Sequence, residues 1–313
     1  MDVPFNVLSL SQKAIDINRS SGNTMLEVLT LDPTVTSDGD NTYNDVRIRG
    51  YVLRSQHYYI NGVPGMLSPS SIPTNFVDRV EVISGPNTLM NGVASYFASV
   101  SGAVNLVPKV AEDKQKISFR ETFSGKSHFA HELDLGGRFG KNKEWGIRAN
   151  IGMEDGTTRF RNENYEEKNF FVNLDYRGEN TSAQLLLGRR NVHHKGPQTG
   201  IRMNGHSLPR PPKGDANFQP SWGEYSHAND IITFSLEHRL NPALEVFLKA
   251  GHHTDDWDPV ITLYYPKLTD DKGNFTSGVE IIREHRTSKG FAGGVRLNAE
   301  TGALRHEIVL SAD

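Results

Sequence analysis

Between Lys116 and Ala312, apolar and polar side chains alternate with a period of two, run after run. Phe129, His131, Leu133, Leu135 and Gly137 interleave with Ala130, Glu132, Asp134, Gly136 and Arg138. Trp145, Ile147, Ala149, Ile151 and Met153 interleave with Gly146, Arg148, Asn150, Gly152 and Glu154. Phe170–Tyr176, Ile232–Leu236, Leu244–Ala250 and Phe291–Leu297 repeat the pattern. Period two puts one set of side chains on each face of a strand. Segments of about 9–11 residues with this pattern are what a tilted membrane-crossing strand requires.

The connections sort by length. Lys141–Glu144, Gly178–Asn180, Asn241–Pro242 and Thr301–Gly302 read as tight polar turns, while Asp155–Glu167, Asn191–Asp230 and Asp255–Ser288 read as long links. Alternating short and long connections are expected of an outer-membrane barrel, with short periplasmic turns and long external loops. Only the first external link, near Ser124–Ser127, reads as short. The pattern gives about nine strands, the last over Leu304–Ala312. A membrane sheet with an open edge would leave N–H and C=O groups unpaired in lipid. A C-terminal remainder of the barrel is therefore expected beyond residue 313.

Mean hydropathy is −0.51, and no apolar run approaches the ~18 residues of a membrane helix. Barrel strands alternate, so this value does not exclude a membrane. A formal net charge of −3 supplies no general attraction for nucleic acid. With no cysteine, a disulfide framework and a thiolate metal site are both excluded. The start, Met1-Asp2-Val3-Pro4-Phe5, has no basic or apolar leader region, so it is expected to have been cut or processed.

Residues 1–112 have a different character. Pro4–Leu10, Val46–Arg49, His57–Ile60, Val77–Ile83 and Ala103–Val107 read as strands, and Asn23–Leu29 as a short helix with Met25, Leu26 and Leu29 inward. Asn61-Gly62 reads as a hairpin turn, and Gly85–Gly102 as a loop. Four motifs follow in order: Val46-Arg47-Ile48-Arg49-Gly50; Tyr59-Ile60-Asn61-Gly62; Val77-Asp78-Arg79-Val80-Glu81-Val82-Ile83-Ser84-Gly85-Pro86; and Ser101-Gly102-Ala103-Val104-Asn105-Leu106-Val107-Pro108-Lys109. Their order and spacing resemble the plug of TonB-dependent outer-membrane siderophore receptors. The resemblance continues more loosely to Asp313. Ser84, Ser101 and Val110 depart from the family pattern.

The resemblance implies an α+β plug over 1–112, followed over 113–313 by the N-terminal part of a 22-stranded antiparallel transmembrane β-barrel. It implies a receptor and transporter of the bacterial outer membrane that imports ferric siderophores and is not an enzyme. Its partners would be the ferric siderophore, outer-membrane lipid, and the TonB energising complex, gripped through an N-terminal segment that would precede residue 1. No cofactor is expected beyond the transported chelate. Arg49 would lie on a strand in the lumen and lock plug to barrel. Arg54, Gln56, Met66 and Leu67 at the plug apices would contact the ligand, with Trp222, Tyr225, Tyr264 and Tyr265 from the external loops. Ordinary loop packing is the competing reading for each.

The pairs His193-His194 and His252-His253 place neighbours on opposite strand faces, which does not chelate one metal. Asp255, Asp256 and Asp258 read as an acidic turn. No P-loop, HExxH or G-x-S-x-G motif is present. Two other functions remain open: a TonB-dependent receptor for haem, cobalamin or a glycan, and a soluble all-β binding protein whose apolar strand faces pack against another sheet.

Overall fold

The computed structural model describes residues 6–18, 24–37, 43, 45–54, 58–68, 70, 72–85, 101–203, 205, 210–302 and 304–312. In chain order the first part contains β1 (Asn6–Ser11), α1 (Gln12–Ile17), α2 (Thr24–Leu29), β2 (Val35–Ser37), β3 (Val46–Ile48), β4 (Tyr51–Leu53), β5 (Tyr59–Ile60), β6 (Val63–Pro64), β7 (Val77–Ser84) and β8 (Gly102–Pro108). These build a five-stranded sheet in the order β1-β7-β8-β5-β6 and a three-stranded sheet β2-β3-β4. On α2, Met25, Val28 and Leu29 are buried, the i, i+3, i+4 spacing of an inward helix face. The helix α1 was not expected. It buries only Ile15, too little periodicity to register in a sequence. Asn61 and Gly62, at φ 52° and 79°, form the left-handed pair that a tight hairpin turn demands. Most of the Gly85–Gly102 loop lies outside the described residues.

The second part is one antiparallel sheet. It comprises β9 (Lys116–Ser124), β10 (His128–Phe139), β11 (Trp145–Thr157), β12 (Asn164–Arg177), β13 (Thr181–Lys195), β14 (Glu224–Asn241), β15 (Leu244–Leu268), β16 (Phe275–Ile281), β17 (Glu284–Thr301) and β18 (Leu304–Ala312). Nine of these lie in path order β9 to β15, then β17 and β18; β16 pairs only with β15. The two faces differ as the alternation requires. Ile117, Phe119, Phe123, Phe129, Ile147, Phe170, Leu174 and Phe291 point outward and are exposed. Arg148, Asn150, Asn169, Asn173 and Asp175 point inward and are buried. Two sheets pressed face to face would bury the apolar set instead, so the all-β sandwich alternative fails. Trp145 and Tyr176, with ring centroids 4.8 Å apart, stand beside the short turns, where interfacial aromatics belong.

Two of the long links, 155–167 and 255–288, are mostly strand, and 191–230 is strand at both ends. β14 has 18 residues, β15 has 25 and β17 has 18. At about 3.4 Å per residue, β15 extends far beyond a hydrocarbon core of about 30 Å. Outside lipid both strand faces can be polar, so the alternation that marks a strand disappears while its backbone ladder continues. That is why 155–167, 191–230 and 255–288 resemble loops in sequence. Among the described residues the non-strand remainders are 158–163, 196–203, 205, 210–223, 269–274 and 282–283.

The plug core and the wall share one apolar cluster. Met66, Ile72, Phe76 and Val80 pack with Phe171, Leu186 and Ile231 of the wall. Phe76 and Phe171 stack with centroids 4.0 Å apart. On the outer face, Phe170 is exposed on β12, well away from the interfacial Tyr176. Phe170→Arg is expected to cost about 2–4 kcal/mol near the membrane midplane, measured by denaturant titration of the full receptor refolded in lipid vesicles. A cost below about 0.5 kcal/mol would contradict a lipid-facing Phe170.

Candidate ligand-binding lumen

The inward face of the wall carries two polar networks. The lower one receives the chain as it leaves β8. Asp134 takes Arg148 on both oxygens (Nε–Oδ1 2.5 Å, Nη2–Oδ2 2.9 Å) and Lys109 Nζ on Oδ2 at 3.2 Å. Lys109 Nζ also donates to the Asn75 carbonyl at 2.6 Å, and Asn173 donates to the Lys109 carbonyl at 2.8 Å. Asp175 accepts from Arg138 at 2.5 Å and from the Ala111 N–H at 3.2 Å. Bidentate arginine–carboxylate pairs of this kind suit a site where both geometry and charge must be held. Further along the seam, Asn75 donates to Asn169 at 2.7 Å, and Asn61 donates to Gln184 at 2.8 Å.

The upper network lines the mouth. Arg190 reaches Glu167 at 2.9 Å and Tyr165 at 3.1 Å. Glu163, almost fully buried, accepts from Thr158 and from the Gln198 N–H at 2.8 Å, and lies 3.0 Å from His194 Nε2. His194 Nδ1 in turn meets the Tyr225 hydroxyl at 2.8 Å. Burial pushes the Glu163 carboxyl up. The hydrogen bond and charge of His194, with Thr158 and the Gln198 amide, outweigh that and hold it below the usual carboxylate range. These contacts fasten the 196–223 link to residues 158–163, together with Asn217 donating to the Arg161 and Gly196 carbonyls. The link is therefore anchored at its base, at Gly196 and Gln198.

Plug and wall also meet at Ser68. Its hydroxyl lies 3.2 Å from His227 Nδ1 and donates to Asp255 Oδ2 at 3.3 Å, while His227 Nδ1 lies 2.8 Å from Asp255 Oδ1. Serine and carboxylate share one imidazole nitrogen, so the trio is a latch and not a nucleophile relay, which needs them on opposite nitrogens. His227 stacks on Trp257 at 5.7 Å, and Tyr43 meets Trp257 edge-on at 5.9 Å.

The expected site residues are distributed unevenly. Arg54 is exposed just after β4, and Trp222 is exposed at 47% in the 196–223 link. Met66 and Leu67 are buried in the plug core instead of open at an apex, because the β5–β6 hairpin folds them against the wall. Tyr225 is a fully buried wall residue of β14, not a loop residue. Tyr264 and Tyr265 lie on β15, not on a loop; their side chains, and Gln56 altogether, are outside the described residues. Arg49, expected on a luminal strand, stands exposed in the turn after β3 at φ 52°. Asp255 points inward, whereas Asp256 and Asp258 are exposed on the other face, so the acidic run does not converge. His194 and His253 are buried while their neighbours His193 and His252 are not. No group of three or more metal-ligating side chains is found among the described residues. The Asp134–Arg148–Lys109 and Asp175–Arg138 contacts were not anticipated, although all four wall residues sit on the polar parity of their strands.

Comparison with known proteins finds likenesses along the whole chain. The TonB-dependent Receptor Plug Domain family matches residues 1–97. The ferrichrome receptor FcuA of Yersinia enterocolitica is 27% identical over 316 residues, covering 99% of this chain and 41% of its own. The ferric preacinetobactin receptor BauA of Acinetobacter baumannii superposes with a TM-score of 0.92 at 27% identity, over 99% of this chain and 46% of that one. This chain resembles the TonB-dependent outer-membrane receptors along its whole length. The ferripyoverdine receptor of Pseudomonas aeruginosa, at 15% identity and a TM-score of 0.82 over 99% of this chain and 42% of its own, shares the fold. The receptor chain thus spans less than half the length of these relatives.

Asp134→Ala in the full-length receptor would strand the buried Arg148 and Lys109 charges. It is expected to destabilise the plug–wall assembly by about 3–5 kcal/mol, read from denaturant unfolding in detergent. The Glu163 carboxyl titrates below its unfolded value, so its contribution is complete above about pH 4.3 and is lost as pH falls through the folded value. Hydrogen exchange in 196–203 and 210–223 is expected to rise on acidification. In Glu163→Gln, exchange there should be raised at neutral pH and lose most of its acid dependence.

Proposed function

We propose that this receptor takes up ferric siderophores across the outer membrane, with the plug over 1–112 and the first part of the barrel over 113–313. The observation that carries this reading is a polar lumen filled by a docked globular plug, in a chain matching receptors described for ferrichrome and ferric preacinetobactin. A lumen closed by side-chain contacts cannot pass a bulky chelate by diffusion, so passage requires work on the plug. The TonB energising complex would supply that work through a segment preceding residue 1. Iron arrives as cargo, already wrapped in its chelator, which agrees with an inward face rich in hydrogen-bonding groups.

On this reading the ligand first meets the exposed groups at the mouth. Arg54 and Trp222 are the leading contacts, with Gln56, Tyr264 and Tyr265 beside them. Tyr225, Met66 and Leu67 would support the site from behind, and Arg49 would hold the plug to the wall. A receptor for haem, cobalamin or a glycan is the alternative outcome of the same experiment.

The test is growth of an iron-starved strain lacking the intact gene, with ferrichrome, ferric preacinetobactin, ferripyoverdine or haem as sole iron source. Restored growth on a ferric siderophore, dependent on TonB, is expected. Growth restored only by haem, or by no iron source, would overturn the reading. Trp222→Ala is expected to weaken siderophore binding to the purified full receptor by 10-fold or more, the loss typical of an interface tryptophan.

A further inference from the structure

Three features converge on the inward face of β15. Reading from the mouth toward the short turns, its luminal residues are Trp257, Asp255, His253, Gly251 and Lys249. They alternate along an extended strand, and Trp257 to Lys249 spans about 27 Å at 3.4 Å per residue.

The first feature is a set of polar atoms with no partner. Trp257 Nε1 and His253 Nε2 are buried without a hydrogen bond, and each residue is 3% exposed. On neighbouring β17, Arg286 lies over the Trp257 ring at 5.1 Å and gives Nε and Nη2 to Glu284, leaving Nη1 buried and unpaired. Buried polar atoms without partners are costly, by about 1–3 kcal/mol each, and each calls for an explanation; a ligand passing this face would supply the missing partners.

The second feature is a groove floor without side chains. A Cβ at Gly251 would lie 2.5 Å from Met66 Sδ and 2.8 Å from Val63 Cγ1, and one at Gly290 would lie 2.8 Å from Val63 Cγ1. The β5–β6 hairpin of the plug fills this groove, so moving the hairpin empties it. The third feature lies below: a cavity of about 190 Å³ lined by Asn61, Gln184, Ser235, Glu237 and Lys249. The Gln184 Nε2 there is also unpaired.

The part of the plug that faces β10–β12 is closed differently. There the Asp134–Arg148–Lys109 ions and the Phe76–Phe171 stack join plug to wall. Asn75 and Asn173 on that side also keep an unpaired amide oxygen, and Asn150 Nδ2 and the His128 ring nitrogens are unpaired as well, so the two sides differ in the ion group and the ring stack and not in unpaired atoms alone.

We propose that the ligand passes the plug along the luminal face of β15: the β5–β6 hairpin swings away, the ligand's oxygens move from Trp257 and Arg286 past His253 to Lys249, and the plug stays attached on the β10–β12 side. The Ser68 contact with His227 and Asp255 is the latch that must open first. This route rests on the uptake reading above and names the part of the lumen that carries it.

Because the protein has no cysteine, disulfide tethers can be placed singly in the full-length receptor. Val63→Cys/Gly290→Cys ties the hairpin to β17, and Asn75→Cys/Gly152→Cys ties the plug to β11, where a Cβ at Gly152 would lie 2.9 Å from Asn75 Nδ2. Tether formation is checked by gel mobility with and without reductant. Binding and uptake of radio-iron-loaded preacinetobactin are then measured in cells. The oxidised Val63/Gly290 pair is expected to bind normally yet lose at least 10-fold in uptake, recovering on reduction; the Asn75/Gly152 pair is expected to transport when oxidised. Lys249→Met should lower uptake at least 5-fold with the binding constant unchanged, and Lys249→Arg should restore it. Undiminished uptake by the oxidised Val63/Gly290 receptor, or equal blockade by both tethers, overturns the route. Absence of binding by the unmodified receptor to every ferric siderophore would instead overturn the uptake reading itself.

Discussion

A charge placed inside a barrel must find its counter-charge there, and the arrangement of this chain follows from that constraint. Arg148 and Asp134 face inward because their strand neighbours face lipid. Arg148 is buried and Asp134 largely so, and a lone buried ion would cost several kcal/mol. Lys109, the residue that follows β8, completes the group at 3.2 Å from Asp134. The chain therefore enters the wall at the point where its own lysine neutralises the wall's carboxylate. The Arg138–Asp175 pair then holds Ala111 by its backbone, the carbonyl accepting from Arg138 and the N–H donating to Asp175.

The upper lumen is built from the same residue types to a different end. Glu163, His194 and Tyr225 tie two external links together, while Glu167 and Arg190 stiffen the wall beneath them. Around Trp257, Arg286 and His253 the network is left incomplete. A fully satisfied polar network specifies one arrangement, and a partly satisfied one is open to new partners. The lower junction behaves as an attachment and the upper face of β15 as a receptive surface, although both draw on arginine, histidine and carboxylate.

Much of the wall was legible in the sequence. Phe129–Arg138 and Trp145–Glu154 state their two faces residue by residue, and the tight turns 141–144 and 178–180 fall between strands as read. Strand extent was not legible. Beyond lipid, residues such as Asp256 and Asp258 on β15 face water, so no apolar partner marks the alternation. In the plug, the Asn61-Gly62 turn and the inward face of α2 were legible because their signals are local. The burial of Met66 and Leu67 was not, since it depends on wall strands far away in sequence, near Gly251 and Gly290.

The sequence alone determined which face of each strand is apolar, where the short turns lie, and that a compact mixed segment precedes the sheet. Those properties are set by side-chain alternation and turn chemistry within a few residues. Tertiary structure alone decided which charges meet, which loop positions become core, and which polar atoms stay unpaired. The reason is that ion pairing and burial depend on contacts between positions far apart in sequence, here between plug and wall, and no local pattern encodes that register.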